Sequence, residues 1–450
     1  MSAQDRRVRE VMIAPSDVRH GRLRRWWRSF RELAGMPVLV VLAFAALAAV
    51  SIVADQTKSV PWLDVARTAA GHIVGKQAST AALQAIASGL VTVTSITFSV
   101  LLLAVQQTAS NLSPVVFDQF IRRRSNQAFL GFFVGLALFS YVVMAAVQDK
   151  TPPILGATIA TVLTVVALVI LLFLVFSTVG QMRPTSVIRA IHDRALVARE
   201  EESALLRATR RESTSGHDVA AIYRARVTGY VTHIDLRLLA TALEGADDAE
   251  VCLSVTLGDH VSYGDTLATV LDGNFERAES LARTVATALS VSPQRDLAHD
   301  PTTGIDELSN IAWTSGSTSK QNPEVAREAL FALEDLAARW FTQDGHDAQD
   351  GPPTPGQVLP VVYQDTDRER LLDVLHAMLV VAHESHQTLF AAAVVDVYCG
   401  LVPRVDRGTR ERLCDDLMRA SDLLDAVPAS PALDRARQAA GVWPPARRTP

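Results

Sequence analysis

The sequence predicts an α-helical membrane domain of four transmembrane helices, followed by a cytosolic α+β domain. The latter carries a small barrel-sandwich-like β module and a helical C-terminal part. Three observations predict this. Four long apolar stretches fall within the first 182 residues, and none contains Asp, Glu, Lys, Arg or His. Charge divides the chain at the same place: residues 1–182 hold 16 Lys+Arg against 8 Asp+Glu, and the remainder hold 27 against 40, giving the net −5. Beyond the last apolar stretch, the apolar pattern shifts to short alternating runs and then to helical spacing.

Residues 1–35 form a basic cytosolic segment with nine arginines between Arg6 and Arg31. Within it, Arg24, Arg25, Trp26 and Trp27 are candidate lipid-headgroup contacts, because guanidinium groups pair with phosphates and indoles favour the interface. The transmembrane domain, 36–182, has spans at 36–54, 81–105, 128–147 and 154–179. Each suits a hydrocarbon core about 30 Å thick, which takes roughly 20 helical residues. The first is a retained anchor rather than a signal peptide, since a long basic segment precedes it and three more spans follow. The N-terminal arginines hold that end in the cytoplasm, and four spans return the chain there. The expected location is therefore the cell inner membrane, with both termini cytoplasmic. Arg122, Arg123 and Arg124 add further headgroup contacts on the cytosolic side, after an amphipathic stretch at 115–121.

The second span differs from the others. Gln84, Ser88, Thr92, Ser95, Ser99 and Gln106 recur at helical spacing and lie along one face. Such a stripe must meet protein or water. It serves either helix packing, where small hydroxylated residues allow close approach, or a pore lining assembled from several copies. The uncharged spans argue against proton pumps, carboxylate-coupled transporters and voltage sensors, which need charge at depth.

The soluble part begins with a charged helical stalk, 183–218. A β-rich module follows at 219–275, with alternating runs at 227–234 and 250–255 flanking a short helix at 238–243. Its Gly258-Asp259-x-Val261-x-x-Gly264-Asp265-x-Leu267 run resembles the turn of biotinyl/lipoyl modules, without a lysine for covalent attachment. A helical region at 276–343 contains a turn at 300–305, a helix at 306–313, a polar loop at 314–319 and a capped helix from 324. A mobile linker is expected at 344–357, a helical C-terminal region at 358–427 with one helix over 367–401, and a flexible tail at 428–450.

Chemistry is sparse. Cys252, Cys399 and Cys414 share no metal or disulfide spacing. His376, His383 and His386 miss the H-E-x-x-H pattern by one residue, so no metal site is assigned. No cofactor, nucleophile–base pair or catalytic residue is assigned, and the acidic soluble half excludes nucleic acid as a partner.

Several stretches, taken in order, resemble the domain-of-unknown-function family 2254 of predicted membrane proteins. They are Thr92-Val93-Thr94-Ser95-Ile96-Thr97-Phe98-Ser99, Ser110-x-x-Ser113-Pro114, Arg122-Arg123-Arg124-Ser125-Asn126-Gln127, Gly229-Tyr230-x-x-x-Ile234-Asp235, the Gly258–Leu267 run, and Asp300-Pro301-x-x-Gly304-Ile305-x-x-Leu308. Residues 315–323 depart from the family's pattern by losing an acidic residue. The resemblance implies topology and fold, not chemistry.

Two functional expectations lead. One is a homo-oligomeric channel or passive permeation protein with a cytosolic regulatory domain. The other is a membrane-tethered scaffold or sensor that binds a cytosolic protein partner. A membrane enzyme ranks last. The lipid bilayer is a partner in every case.

Overall fold

The computed structural model describes residues 9–11, 18–57, 67–70, 72, 74, 78–111, 124–146, 153–181, 183–246, 248–296, 298–317, 323–347 and 358–441. The chain forms two compact units, one from Asp17–Ser186 and one from Met1–Ser16 together with Val187–Pro450.

The first unit is a four-helix bundle: α1 (Val18–Gln56), α2 (Ser79–Asn111), α3 (Arg124–Ala145) and α4 (Ile154–Gln181). All four are long and apolar enough to cross a membrane, over Gly35–Gln56, Ser79–Val100, Arg124–Ala145 and Ile154–Phe176. The expected spans thus match helices to within a few residues. α3 is the central one. It packs on α1, α2 and α4 and buries Phe133, Leu136, Phe139 and Val143. Close approach comes from a small-x-x-x-small pair: a Cβ on Gly131 would lie 2.9 Å from the Pro37 Cα, and one on Gly135 would lie 2.6 Å from the Phe44 ring. α4 turns Val165, Leu168, Val169, Leu172, Phe173 and Phe176 outward, as a lipid-facing helix does. At the end of α1, Asp55 accepts the Leu155 and Gly156 backbone N–H groups, each at 3.1 Å, and so caps the N-terminus of α4.

In the second unit, α5 (Pro184–Ala208) leads into β2 (Val219–Arg224), β3 (Gly229–Ile234), α6 (Leu236–Leu243), β4 (Glu250–Leu253), β5 (His260–Val261), β6 (Thr266–Leu271), α7 (Phe275–Ala288) and β7 (Leu289–Ser292). Then follow α8 (Pro301–Ser317), α9 (Pro323–Asp347), β8 (Val361–Val362), α10 (Asp367–Ser385), α11 (Thr388–Leu401), α12 (Arg407–Arg419), α13 (Ser421–Asp425) and α14 (Pro431–Ala440). With β1 (Arg9–Val11), the strands form one five-stranded sheet, β1-β2-β6-β4-β8, and one three-stranded sheet, β5-β3-β7. The β2/β6, β4/β6, β3/β5 and β3/β7 pairs are antiparallel, while β1 and β8 add parallel edges.

The barrel-sandwich expectation is corrected here. Strands from outside 219–275 extend both sheets, which stay open, and no closed barrel forms among the described residues. The two Gly-Asp pairs are successive turns of the same build. In each, the Gly has positive φ (+85° at Gly258, +92° at Gly264). The following Asp carboxylate accepts the N–H three residues back, from Thr256 and from Ser262, both at 2.7 Å. Their role is to join strands.

Four other expectations are corrected. The 300–319 segment is mostly one helix: Asp300 accepts the Thr303 N–H, Pro301 fits the first turn, and Ser315 is buried in α8 rather than set in a polar loop. The expected helix over 367–401 breaks at His386, whose φ is 52°. The first residues of the 344–357 linker continue α9, and its remainder, 348–357, lies outside the described residues. The expected tail contains α14, which Ser430 caps and which buries Leu433 and Ala436 in packing on α11.

Replacing Gly131 or Gly135 with Leu should overpack the α1–α3 contact and cost about 1–3 kcal/mol. Thermal unfolding of the purified protein in detergent would show this as a lowered midpoint relative to an outward-facing Val165→Leu control.

Candidate functional site

α2 has two distinct faces. Toward the bundle it buries Leu83, Ala87 and Leu90. Every member of the polar stripe, Gln84, Ser88, Thr92, Ser95, Ser99 and Gln106, is exposed instead, on the other side of the helix. From Val91 to Leu103 no described side chain of α2 is buried, and Ile96, Val100 and Leu103 are at least 59% exposed. This part of the helix is only partly covered by its own unit, with Val93, Thr94 and Thr97 half-buried and the rest of the described side chains exposed.

The hydroxyls partly satisfy themselves. Ser88, Thr92 and Ser99 donate to the carbonyls of Gln84, Ser88 and Ser95 at 2.9, 3.0 and 2.8 Å. Such bonds back to the preceding turn let a hydroxyl enter an apolar medium cheaply. The Gln84 and Gln106 amides and the Ser95 hydroxyl donate to nothing among the described residues. Gly89 lies on the same open side, and a Cβ there would meet nothing within 4 Å. The stripe therefore does not serve packing within one chain.

A family model matches most of this four-span chain, the 92–99 stretch of α2 included, and that match decides the family. This chain belongs to the DUF2254 family, described as predicted membrane protein. The family model matches residues 31–389, which takes in all four spans and most of the second unit. No curated protein and no solved structure matches the chain.

The other candidate residues are less informative. Arg24, Arg25, Trp26 and Trp27 have helical backbone in α1, continuous with the first span, and their side chains lie outside the described residues. Arg124 opens α3 and is exposed, whereas Arg122, Arg123 and the 115–121 stretch lie outside the described residues.

In the second unit the histidines do not converge on one point. His383 Nδ1 lies 2.7 Å from the Leu423 carbonyl, His376 lies 3.7 Å from Asp416, and His386 ends α10. No group of three His, Cys, Asp or Glu residues able to hold a metal occurs among the described residues. Sequence reasoning missed the main polar cluster of this unit, where Arg199, Glu202 and Asp367 are all at most 4% exposed. Arg199 and Glu202 lie one helical turn apart, but Asp367 comes from far along the chain and shares no motif with them.

Proposed function

We propose that this member of the family is a homo-oligomeric passive permeation protein of the inner membrane, with α2 lining the path and the second unit regulating it. The observation that carries the reading is the outward polar stripe of α2. Gln84 lies within the span, where hydrocarbon cannot satisfy its amide, so water or another copy's stripe must. Several copies bringing this face together would enclose an uncharged polar conduit. No catalytic chemistry is needed for that role.

The pairing of β1 with β2 supports the orientation, because it draws the N-terminal segment into the unit built from the C-terminal chain. Both ends then lie on one side of the membrane, and the N-terminal arginines favour the cytoplasm. The exposed Trp313 and Phe331 of the second unit favour a second reading, a tethered scaffold that docks a cytosolic partner.

Reconstituted in a planar bilayer, the protein should give discrete conductance, and replacing Thr92 and Ser95 together with Leu should abolish it while leaving assembly intact. Silence from folded, inserted protein across voltage, salt and tension would sink the conduit reading and leave the scaffold. Gly89→Leu checks assembly separately. It should leave the unfolding midpoint of the single chain unchanged but shift the species seen by light scattering in detergent from oligomer toward monomer.

A further inference from the structure

The buried polar cluster of the second unit carries more acid than one cation balances. Arg199, on α5, lies against three carboxylates. Its Nη1 is 2.9 Å from Glu202, 2.9 Å from Asp365 and 3.2 Å from Asp367, and Nη2 also donates to Asp365. The guanidinium forms a two-pronged pair with Asp365 and stacks over the Trp340 ring of α9 at 5.4 Å. Glu202 and Asp367 then remain as two buried acids that meet on one guanidinium nitrogen, Arg199 Nη1. Around them, Tyr363 donates to Glu202 at 2.7 Å, and Thr302 of α8 donates to Asp367 at 2.7 Å. On α8 the next charged group, Asp306, is already paired with Arg295 and Arg370. No second cation reaches Glu202 or Asp367 among the described residues.

Two like charges on one guanidinium nitrogen and out of water disfavour each other's ionised form, and a proton on Asp367 relieves that repulsion. Burial, and then the Glu202 carboxylate, push the Asp367 carboxyl well above its usual range. We propose that Asp367, set against Arg199 and Glu202, is a proton-operated latch, which holds α5 on the β8–α10 junction while it is protonated and releases it when that proton leaves. α5 begins three residues after α4 ends, so it carries the chain from the last span into the second unit. The latch thereby makes that passage sensitive to cytosolic pH, whether or not the membrane unit conducts.

The sign follows from linkage. A carboxyl whose folded pKa is raised binds more protons folded than unfolded. Its stabilising contribution is full below the unfolded value and is lost as pH rises through the folded one.

Amide hydrogen exchange of the intact protein in lipid nanodiscs tests this between about pH 6 and pH 10, after correction for intrinsic base catalysis. Protection of residues 187–208 should fall about tenfold or more with rising pH, and Asp367→Asn should remove that dependence. An infrared carbonyl band of a protonated carboxyl should vanish over the same range in the wild-type protein, which keeps the test valid if the variant fails to fold. Flat protection in the wild type, a missing band, or an unchanged pH slope in a folded Asp367→Asn protein would each overturn the latch.

Discussion

Hydrocarbon supplies no hydrogen-bond partners, and the membrane unit is arranged around that constraint. Backbone groups are consumed within the helices, and Ser51, Ser140, Thr161 and Thr164 each donate to a carbonyl three or four residues back. Asp55 at the end of α1 is held by the free N–H groups that open α4. On the α2 stripe, the Gln84 amide and the Ser95 hydroxyl leave the constraint unmet among the described residues of one chain. α2 packs on α3 and α4 and presents its polar edge outward, so a single copy leaves the polar edge exposed.

The second unit solves the opposite problem, which is holding charge in a dry interior. Glu250 is 1% exposed and accepts the Thr214 and Ser215 N–H groups at 3.2 Å and the Arg210 guanidinium at 3.0 Å. Asp272 is answered by Arg277 at 2.6 Å. Each of these acids has a dedicated cation. The Arg199 cluster does not, which is why a proton completes it and why pH bears on it.

The four spans were legible because length and apolar composition alone fix them, and strands β3 and β4 because alternation marks half-buried runs. The polar stripe was legible as a face, since Gln84 to Gln106 follow helical spacing. Which way it pointed was not, because that depends on the Leu83–Leu90 edge being the one buried in the bundle. The barrel expectation failed for a similar reason. The Gly-Asp turns are local and were recognisable, but the edge strands β1 and β8 come from residues 9–11 and 361–362, far outside the module. Two-residue strands such as β8 carry too little pattern to be read. The Arg199 cluster was invisible because its contacts join α5 to the Tyr363–Asp367 stretch across 161 to 168 positions, which carry no shared spacing. Ser315 misled because serine and glycine favour loops until a capped helix N-terminus and a packed neighbour override them.

The central claim is that the polar face of α2 is withdrawn from lipid in the assembled protein. Ser99 and Val100 are both exposed on the single chain, neighbours in depth but about 100° apart around the helix. Spin labels placed at each in turn, in protein with the three native cysteines replaced, would be read in bilayers for collision with oxygen dissolved in the lipid. The account predicts strong collision at Val100 and weak collision at Ser99. Equal, strong collision at both would mean that the stripe faces lipid, and the assembly built on it would not stand.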